Sequence, residues 1–255
     1  MESRVLDMLD FNKEKMNKII DSISVFFPVY NEEESIENTV ILAKKVLEEI
    51  SNMWEIIIVN DGSTDNSFTI ANKLSKDDSR IRIISHSKNR GYGASLKSGF
   101  YNARYPWICF TDADGQFDFS EIKKFIFKQK EDQADLVIGY YIGRKVSLFT
   151  IVTSKIWEAI VFILFGMKVK DNDCGFKLIS KRVIDTIDKL ESERGALISS
   201  EILIKAKKKG FKITQVGVRH YPRIKGKGTG RDIKVIIKSF IDLVRLWIKL
   251  NFSQK

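Results

Sequence analysis

Apolar and polar positions follow two different periods along the first half of the chain. Short apolar runs such as Ile23–Tyr30 and Pro106–Phe110 are typical of buried strands, whereas Glu33–Ile50 repeats its apolar residues every three or four positions, as an amphipathic helix does. This alternation predicts an α/β fold with a mostly parallel central sheet and helices on both faces. The other predicted strands are Glu55–Asn60, Arg80–His86 and Ala134–Gly139, and the other helices are Asp65–Lys76, Ala94–Tyr105 and Ser120–Gln129.

The second half of the chain predicts helices with apolar surfaces. Asp232–Asn251 has a wide apolar face that includes Trp247, and lysine and arginine recur opposite it. That pattern is typical of a helix lying on a membrane surface, although a terminal helix packed on the domain explains the apolar face equally well. The remaining predicted elements are an amphipathic or frayed segment Met1–Ser22, an apolar helix Ser147–Met167, strands at Cys174–Ile179 and Phe211–Tyr221, a helix Ser199–Lys209 and a basic, glycine-rich loop Pro222–Arg231.

Composition narrows the class of protein. The 255 residues are 44% hydrophobic and carry a net charge of +10, so we expect one large globular domain with an anionic partner. The basic residues are dispersed and form no nucleic-acid-binding motif, which argues against a nucleic acid as that partner. Cys109 and Cys174 form neither a disulfide framework nor a CxxC zinc pattern. The longest apolar segment, Ile156–Met167, is shorter than the roughly 20 residues that span a bilayer, so we expect no transmembrane helix.

Polar clusters follow four of the predicted strands, and they begin at Pro28, Asn60, His86 and Asp112. Because the carboxyl ends of parallel strands meet at one edge of a sheet, these clusters should lie together. The fourth places Asp112 and Asp114 one residue apart, directly after a buried strand. Such oxygen ligands suit Mg²⁺ or Mn²⁺ carrying a diphosphate. A single Asp-rich turn is more often solvated surface, so the prediction of a site rests on the convergence of all four clusters.

Three of these segments resemble glycosyltransferase family 2, which has the GT-A nucleotide-sugar-binding fold. They read V-N-D-G-S-T-D at 59–65, N-R-G-Y-G at 89–93 and T-D-A-D-G-Q at 111–116. A fourth, D-N-D-C-G-F-K at 171–177, is similar to a segment of the dolichyl-phosphate hexosyltransferases. The resemblance covers roughly Ile23 to Leu250 and implies a glycosyltransferase domain at 23–231. The residue pattern predicts an N-terminal amphipathic extension at 1–22 and a basic amphipathic helix at 232–255.

The resemblance also implies roles for individual residues. The nucleotide would be held by Pro28, Tyr30, Glu32, Asp61, Gly91, Asp112 and Ala113. The metal and diphosphate would be organised by Asp112, Asp114 and Gln116, and the catalytic set is Asp112, Asp114, Arg223 and Glu201. The family often has an arginine where this chain has Tyr141, so the acceptor phosphate is assigned instead to Arg144, Lys145, Lys155 and Lys227.

The implied reaction is metal-dependent, inverting transfer of a hexose from a UDP- or GDP-linked sugar to a polyprenyl or dolichyl phosphate, on the cytoplasmic side of a membrane. A lipid phosphate has a second pKa of about 6 and needs no catalytic base at neutral pH. A hydroxyl acceptor would need one, and Glu201 is the candidate unless it only pairs with Lys205. Two alternatives stay open: an enzyme of the same fold with a saccharide or protein hydroxyl acceptor, and a catalytically silent, membrane-associated nucleotide-binding protein.

Overall fold

The computed structural model describes residues 18–143, 148–193, 197–222 and 233–252, without the side chains of residues 148–150 and 233–239. Within these residues, seven strands form one sheet in the order β3-β2-β1-β4-β6-β5-β7. The strands are β1 (Ile20–Val29), β2 (Ser51–Asn60), β3 (Ile81–Ser85), β4 (Trp107–Phe110), β5 (Leu136–Ile142), β6 (Lys177–Ser180) and β7 (Ile213–Arg219). The helices are α1 (Ile36–Ile50), α2 (Ser67–Asp77), α3 (Tyr92–Asn102), α4 (Ile122–Asp132), α5 (Leu148–Phe165), α6 (Lys181–Thr186), α7 (Leu197–Lys208) and α8 (Ile233–Phe252), with a 3-10 turn at Phe119–Glu121.

The four strands that precede the polar clusters are neighbours in the sheet and run parallel to one another. This confirms that the four clusters share one sheet edge. Strand β6 departs from the parallel pattern, because it lies antiparallel between β4 and β5. In its register, Phe110 at the end of β4 pairs with Lys177 at the start of β6. The loop that precedes β6 is therefore brought to the same edge, beside Asp112.

Both faces of the sheet are buried. Along β1, Val25 and Phe27 belong to the apolar cluster that includes α1, and Phe26 points into a second cluster on the opposite face. There the ring of Phe26 packs against Phe100 of α3 and Phe110 of β4, at centroid distances of 4.9 and 5.4 Å. A strand that is buried on both faces has a continuous apolar run in its sequence, and β1 shows this pattern.

Several element bounds differ from the predicted ones. Strand β1 begins at Ile20, three residues earlier than predicted, because Ile20 already pairs with Ser51 of β2. Strand β2 itself begins directly after α1, without a separate turn. The short helix α6 was not predicted. Gly210, just after α7, has a φ of 81°, which confirms the predicted glycine stop. Residues 1–17 of the predicted N-terminal extension lie outside the described residues.

The wide apolar face that the sequence predicts for α8 is divided between the domain and solvent. Leu243 and Leu246 are buried against the domain, and the ring of Phe240 packs on Trp157 of α5 at 5.1 Å. The rest of this face is exposed, as a stripe of residues spaced three or four apart, Ile241, Val244, Ile248 and Phe252.

Helix α5 repeats this arrangement. It buries Trp157 and Val161 and exposes Val152, Ile156 and Ile163 on the other side. Among the described residues, we find no helix that is both long enough and apolar enough to cross a membrane.

Candidate active site

The carboxylate of Asp112 is fixed from two sides. Its Oδ1 accepts a hydrogen bond of 3.0 Å from the hydroxyl of Tyr92, the first residue of α3. On the other side Gly175 packs so closely that a Cβ atom there would lie 2.8 Å from Asp112 Cγ, and closer still to Oδ2. Burial and the neighbouring charge of Asp112 raise the pKa of Tyr92 well above its ordinary value, so its hydroxyl remains a donor.

The D-N-D-C-G-F-K segment forms the loop that brings Gly175 to this position. Asp171 Oδ1 accepts backbone hydrogen bonds from Asp173 and Cys174, at 2.9 and 3.0 Å, which fold the chain into a tight turn. The buried ammonium of Lys177 donates to the carbonyl of Cys174 and lies 5.4 Å from the centre of the Phe110 ring. Burial lowers the pKa of Lys177, against the opposing effect of Cys174 and the nearby aspartates.

Asp114 and Gln116 connect the carboxylate pair to the end of β7. Asp114 is buried, and its Oδ1 accepts the backbone N–H of Gln116 at 3.0 Å. Gln116 Nε2 donates to the carbonyl of Tyr221, and the N–H of Tyr221 donates to the carbonyl of Gln116, at 3.0 and 2.9 Å. The basic loop therefore starts beside the carboxylates, although Arg223 and Lys227 themselves lie outside the described residues.

Asp61 organises the turn that contains Gly91. Its Oδ1 accepts the N–H of Arg90 at 2.9 Å, and its Oδ2 accepts the N–H of Gly91 at 2.7 Å. His86 Nδ1 lies 2.6 Å from the same Oδ1, and Ser98 Oγ lies 2.9 Å from His86 Nε2. Gly91 has a φ of 100°, a conformation that glycine adopts without strain. The predicted nucleotide residues Asp61 and Gly91 are thus in direct contact.

The residues at and after the ends of β1 and β2 are joined into one surface. Pro28 and Glu32 are partly buried, whereas Tyr30 is exposed beside them. Asn31 Oδ1 accepts the N–H of Thr64 at 2.8 Å, and the N–H of Glu32 donates to Ser67 Oγ at 2.8 Å. Ala113, which belongs to the fourth cluster, is linked to α1 because its carbonyl accepts a hydrogen bond of 3.3 Å from Thr39 Oγ1. All the predicted nucleotide residues therefore lie at this edge of the sheet.

The carboxylate pair fits a divalent cation that is shared with a phosphate ligand. In the described part of the chain, no group of three or more His, Cys, Asp and Glu side chains is arranged to hold a metal ion. Mg²⁺ is commonly bound by one or two carboxylates together with waters and phosphate oxygens, and two carboxylates are what Asp112 and Asp114 supply. The hydroxyl of Thr111, next to Asp112, is buried and finds no hydrogen-bond partner among the described residues.

Other predicted site residues lie elsewhere or cannot be placed. Glu201 is buried and pairs with Lys205 at 2.6 Å. The structure therefore favours a pairing role for Glu201 over the role of a catalytic base. Burial would raise the pKa of Glu201, but hydrogen bonds from Lys205 and Ser192 outweigh this effect and lower it. Lys155 lies on α5, exposed and paired with Glu158 at 2.6 Å. Arg144 and Lys145 lie outside the described residues.

Sequence reasoning missed three residues that shape the site, namely Tyr92, Gly175 and His86. Each was inside or next to a motif that had been singled out: Tyr92 in N-R-G-Y-G, Gly175 in D-N-D-C-G-F-K and His86 at the end of a predicted strand. A position in or beside one of these motifs was the available signal. Their contacts, which join different motifs, were not visible from that signal.

Comparison with known proteins decides the family. Residues 24–188 match the family model described as Glycosyl transferase family 2. The chain belongs to this family. A dolichyl-phosphate beta-glucosyltransferase of Saccharomyces cerevisiae is 32% identical over 219 residues, which cover 77% of this chain and 66% of that protein. An undecaprenyl-phosphate 4-deoxy-4-formamido-L-arabinose transferase of Salmonella choleraesuis is 32% identical over 169 residues, which cover 66% of this chain and 51% of that protein. The chain thus spans about half to two thirds of the length of these two family 2 relatives.

A solved structure with the same fold contains both a metal and a nucleotide. Glucosyl-3-phosphoglycerate synthase from Mycobacterium tuberculosis, in complex with Mn²⁺, uridine diphosphate and glucosyl-3-phosphoglycerate, superposes with a TM-score of 0.68 at 18% identity. The match covers 92% of this chain and 81% of that one. The predicted GT-A fold with a mostly parallel sheet is therefore confirmed for this member of family 2.

Proposed function

We propose that this protein transfers a hexose from a nucleoside-diphosphate sugar to the phosphate of a polyprenyl lipid, with inversion at the anomeric carbon. The observation that carries the proposal is the pair Asp112 and Asp114, fixed at a sheet edge beside the Asp61–Gly91 turn. The names of the yeast and Salmonella relatives support a lipid-phosphate acceptor, and the Mn²⁺–UDP complex of the mycobacterial enzyme supports the kind of donor.

The donor would lie along the edge that the four clusters form. Pro28, Tyr30, Glu32 and the turn held by Asp61 provide the surface for the nucleoside, with glycine allowing the backbone to approach closely. Asp112 and Asp114 would hold Mg²⁺ or Mn²⁺, which would supply positive charge opposite the departing diphosphate. The basic loop that starts after Tyr221 would bring Arg223 to the same diphosphate and Lys227 to the acceptor phosphate.

The transfer step needs no proton acceptor when the nucleophile is a phosphate. An oxygen of the lipid phosphate attacks the anomeric carbon, and the bond between that carbon and the diphosphate oxygen breaks on the opposite face. The electron pair of that bond leaves with the nucleoside diphosphate. The acceptor is already largely deprotonated at neutral pH because its second pKa is about 6.

The surroundings of Glu201 favour this acceptor over a hydroxyl. Both of its oxygens accept backbone hydrogen bonds, and one also contacts Lys205. A carboxylate that is buried and engaged in this way has little capacity to take a proton from a substrate. The carboxylate that the resemblance implied for a hydroxyl-acceptor mechanism is therefore occupied with other contacts.

The exposed stripes of α5 and α8 support binding to a membrane surface, where a polyprenyl phosphate resides. Ile163 of α5 is 77% exposed, and Ile248 of α8 lies beside Arg245 and Lys249, whose exposed side chains pair with Asp242 and Glu191. Apolar side chains next to lysine and arginine suit the boundary between acyl chains and anionic headgroups.

Radiolabelled sugar transfer tests the reaction. UDP-glucose, UDP-N-acetylglucosamine and GDP-mannose would each be supplied with Mn²⁺ or Mg²⁺ and a short polyprenyl phosphate. Asp114→Asn should lower the rate roughly 100-fold or more, the scale observed when one group that stabilises developing charge is removed. Asp118→Asn is the matched control, because Asp118 is an exposed carboxylate four residues away that caps the 3-10 turn. Unchanged turnover in Asp114→Asn, or transfer to free saccharides alone, would contradict the proposal.

Vesicle flotation tests the membrane contact separately. Ile163→Glu should reduce the fraction of protein that floats with vesicles of phosphatidylcholine and phosphatidylglycerol. Phe127→Glu is the control, since Phe127 is also exposed, at 57%, but lies on α4. Equal flotation of the two variants and the wild type would exclude the α5 stripe as the membrane-binding surface.

A further inference from the structure

Glu201 and Lys205 form a buried ion pair on α7 that the proposed reaction does not use. Their side chains are 1% and 2% exposed, and Lys205 Nζ lies 2.6 Å from Glu201 Oε1. Removing two charges from water is costly unless further hydrogen bonds satisfy them. A pair of apolar side chains would fill the same space at a lower free-energy cost of desolvation. The role of the ion pair is therefore indicated by the groups to which it forms hydrogen bonds.

The remaining hydrogen bonds of the pair go to one segment, Asp188–Glu193, which we term the anchor loop. Glu201 Oε1 accepts the N–H of Glu191, and its Oε2 accepts the N–H of Ser192, both at 2.9 Å. Lys205 Nζ donates to the carbonyl of Lys189 at 2.7 Å. The pair therefore holds the backbone of an irregular segment through both its donors and its acceptors.

The anchor loop in turn packs on the start of α3. The N–H of Ala94, in the first turn of α3, donates to the carbonyl of Glu193 at 3.0 Å. Gly93 fits so tightly that a Cβ atom there would lie 2.6 Å from the carbonyl oxygen of Ser192. The carboxylate of Glu193 also lies 3.2 Å from Lys97 and 3.4 Å from Arg90. The loop thus fixes the turn in which α3 begins.

This same turn carries two groups of the active site. Tyr92, directly before Gly93, donates to Asp112, and the N–H groups of Arg90 and Gly91 donate to Asp61. We propose that Glu201 and Lys205 are positioning residues, which set the hydroxyl of Tyr92 on Asp112 by holding the anchor loop against α3. This inference rests on the proposed function for its kinetic consequences, but its structural part can be tested without turnover.

Amide hydrogen exchange provides that independent test. In Glu201→Gln, exchange should increase in the anchor loop and also in residues 89–95, while strand β1 remains as protected as in the wild type. Asp185→Asn is the matched control, because Asp185 pairs with Lys181 at the same i, i+4 spacing on α6 but is 58% exposed. Faster exchange confined to the anchor loop would overturn the proposal, since the disturbance would then not reach Tyr92.

The kinetic test separates positioning from simple stability. If Glu201→Gln misplaces Asp112, the metal concentration for half-maximal activity should rise and kcat should fall, each by roughly tenfold to 100-fold. If the pair contributed only to stability, the variant would have a lower melting temperature and a smaller active fraction. Its metal concentration for half-maximal activity, which we term the metal constant, would be unchanged. A wild-type protein that transfers no sugar would contradict the proposed function, whereas the exchange experiment would still decide the positioning role.

Gly93→Ala provides a second variant in case Glu201→Gln does not fold. It leaves no buried charge unpaired and displaces the anchor loop from the other side, because the added methyl group meets the carbonyl of Ser192. The same changes in hydrogen exchange at residues 89–95 and in the metal constant are expected. A Gly93→Ala protein with wild-type exchange and a wild-type metal constant would overturn the positioning role of the anchor loop.

Discussion

Replacing Gly175 by alanine should impair catalysis by displacing Asp112. The added Cβ would lie 2.8 Å from Asp112 Cγ, whereas carbon atoms pack at about 3.5–4.0 Å. The carboxylate or the loop must therefore shift by about 1 Å. The loop resists this shift, because the buried Lys177 holds the carbonyl of Cys174 and Asp171 holds two backbone N–H groups.

A displacement of this size at a site that positions reacting groups can reduce the rate about 100-fold, which corresponds to about 2.7 kcal/mol of transition-state stabilisation. The assay is kcat and the half-maximal Mn²⁺ concentration for sugar transfer. Gly217→Ala is the control, since its Cβ would lie at the same 2.8 Å from Ile142 Cγ1 and closer still to Cδ1, in a side chain that is exposed and free to move into solvent. Equal kinetics for the two variants would refute the reasoning that Gly175 fixes the position of Asp112.

Three further predictions follow from groups that contact or support the site. Tyr92→Phe removes the hydrogen bond to Asp112 and should weaken Mn²⁺ activation about fivefold, the equivalent of about 1 kcal/mol, as measured by metal titration of the rate. Because the pKa of Glu201 is lowered in the folded state, its carboxylate stabilises the fold above the ordinary glutamate pKa of about 4.3, and this contribution is lost as the pH falls through its folded pKa. Denaturant unfolding of Glu201→Gln should therefore depend less on pH between about pH 5 and pH 3 than unfolding of the wild type; equal slopes would contradict this. Burial raises the pKa of Cys109, and that of Cys174 to about 12, so a thiol reagent at neutral pH should modify neither until the protein is unfolded.

The elements of the first half could be predicted because their signals are local. Apolar runs and helical periodicity identified β1 to β4, and turn-forming residues marked the points where the strands end. Parallel neighbours then placed Asp61, Gly91 and Asp112 at one edge without knowledge of side-chain contacts. This is why the sequence alone could place these residues together.

The contacts that fix the carboxylates depend on long-range pairing and could not be predicted. Gly175 reaches Asp112 because β6 is antiparallel to β4, and a four-residue strand carries no signal of its direction. The catalytic role of Glu201 was inferred from the family resemblance alone, whereas its i, i+4 spacing to Lys205 predicted the pairing that the structure shows. Its hydrogen bonds to the backbone of the anchor loop had no local signal. Likewise, the hydrophobic pattern of α8 could not separate the residues that pack on the domain from the exposed stripe.

Anomalous diffraction from a crystal soaked with Mn²⁺ and either UDP or GDP tests the central claim most directly. We expect a manganese peak bonded to a carboxylate oxygen of Asp112 or Asp114, with the diphosphate completing its coordination and the nucleoside beside Tyr30 and the Asp61–Gly91 turn. A nucleotide bound at another surface, with no manganese at these two carboxylates, would contradict it.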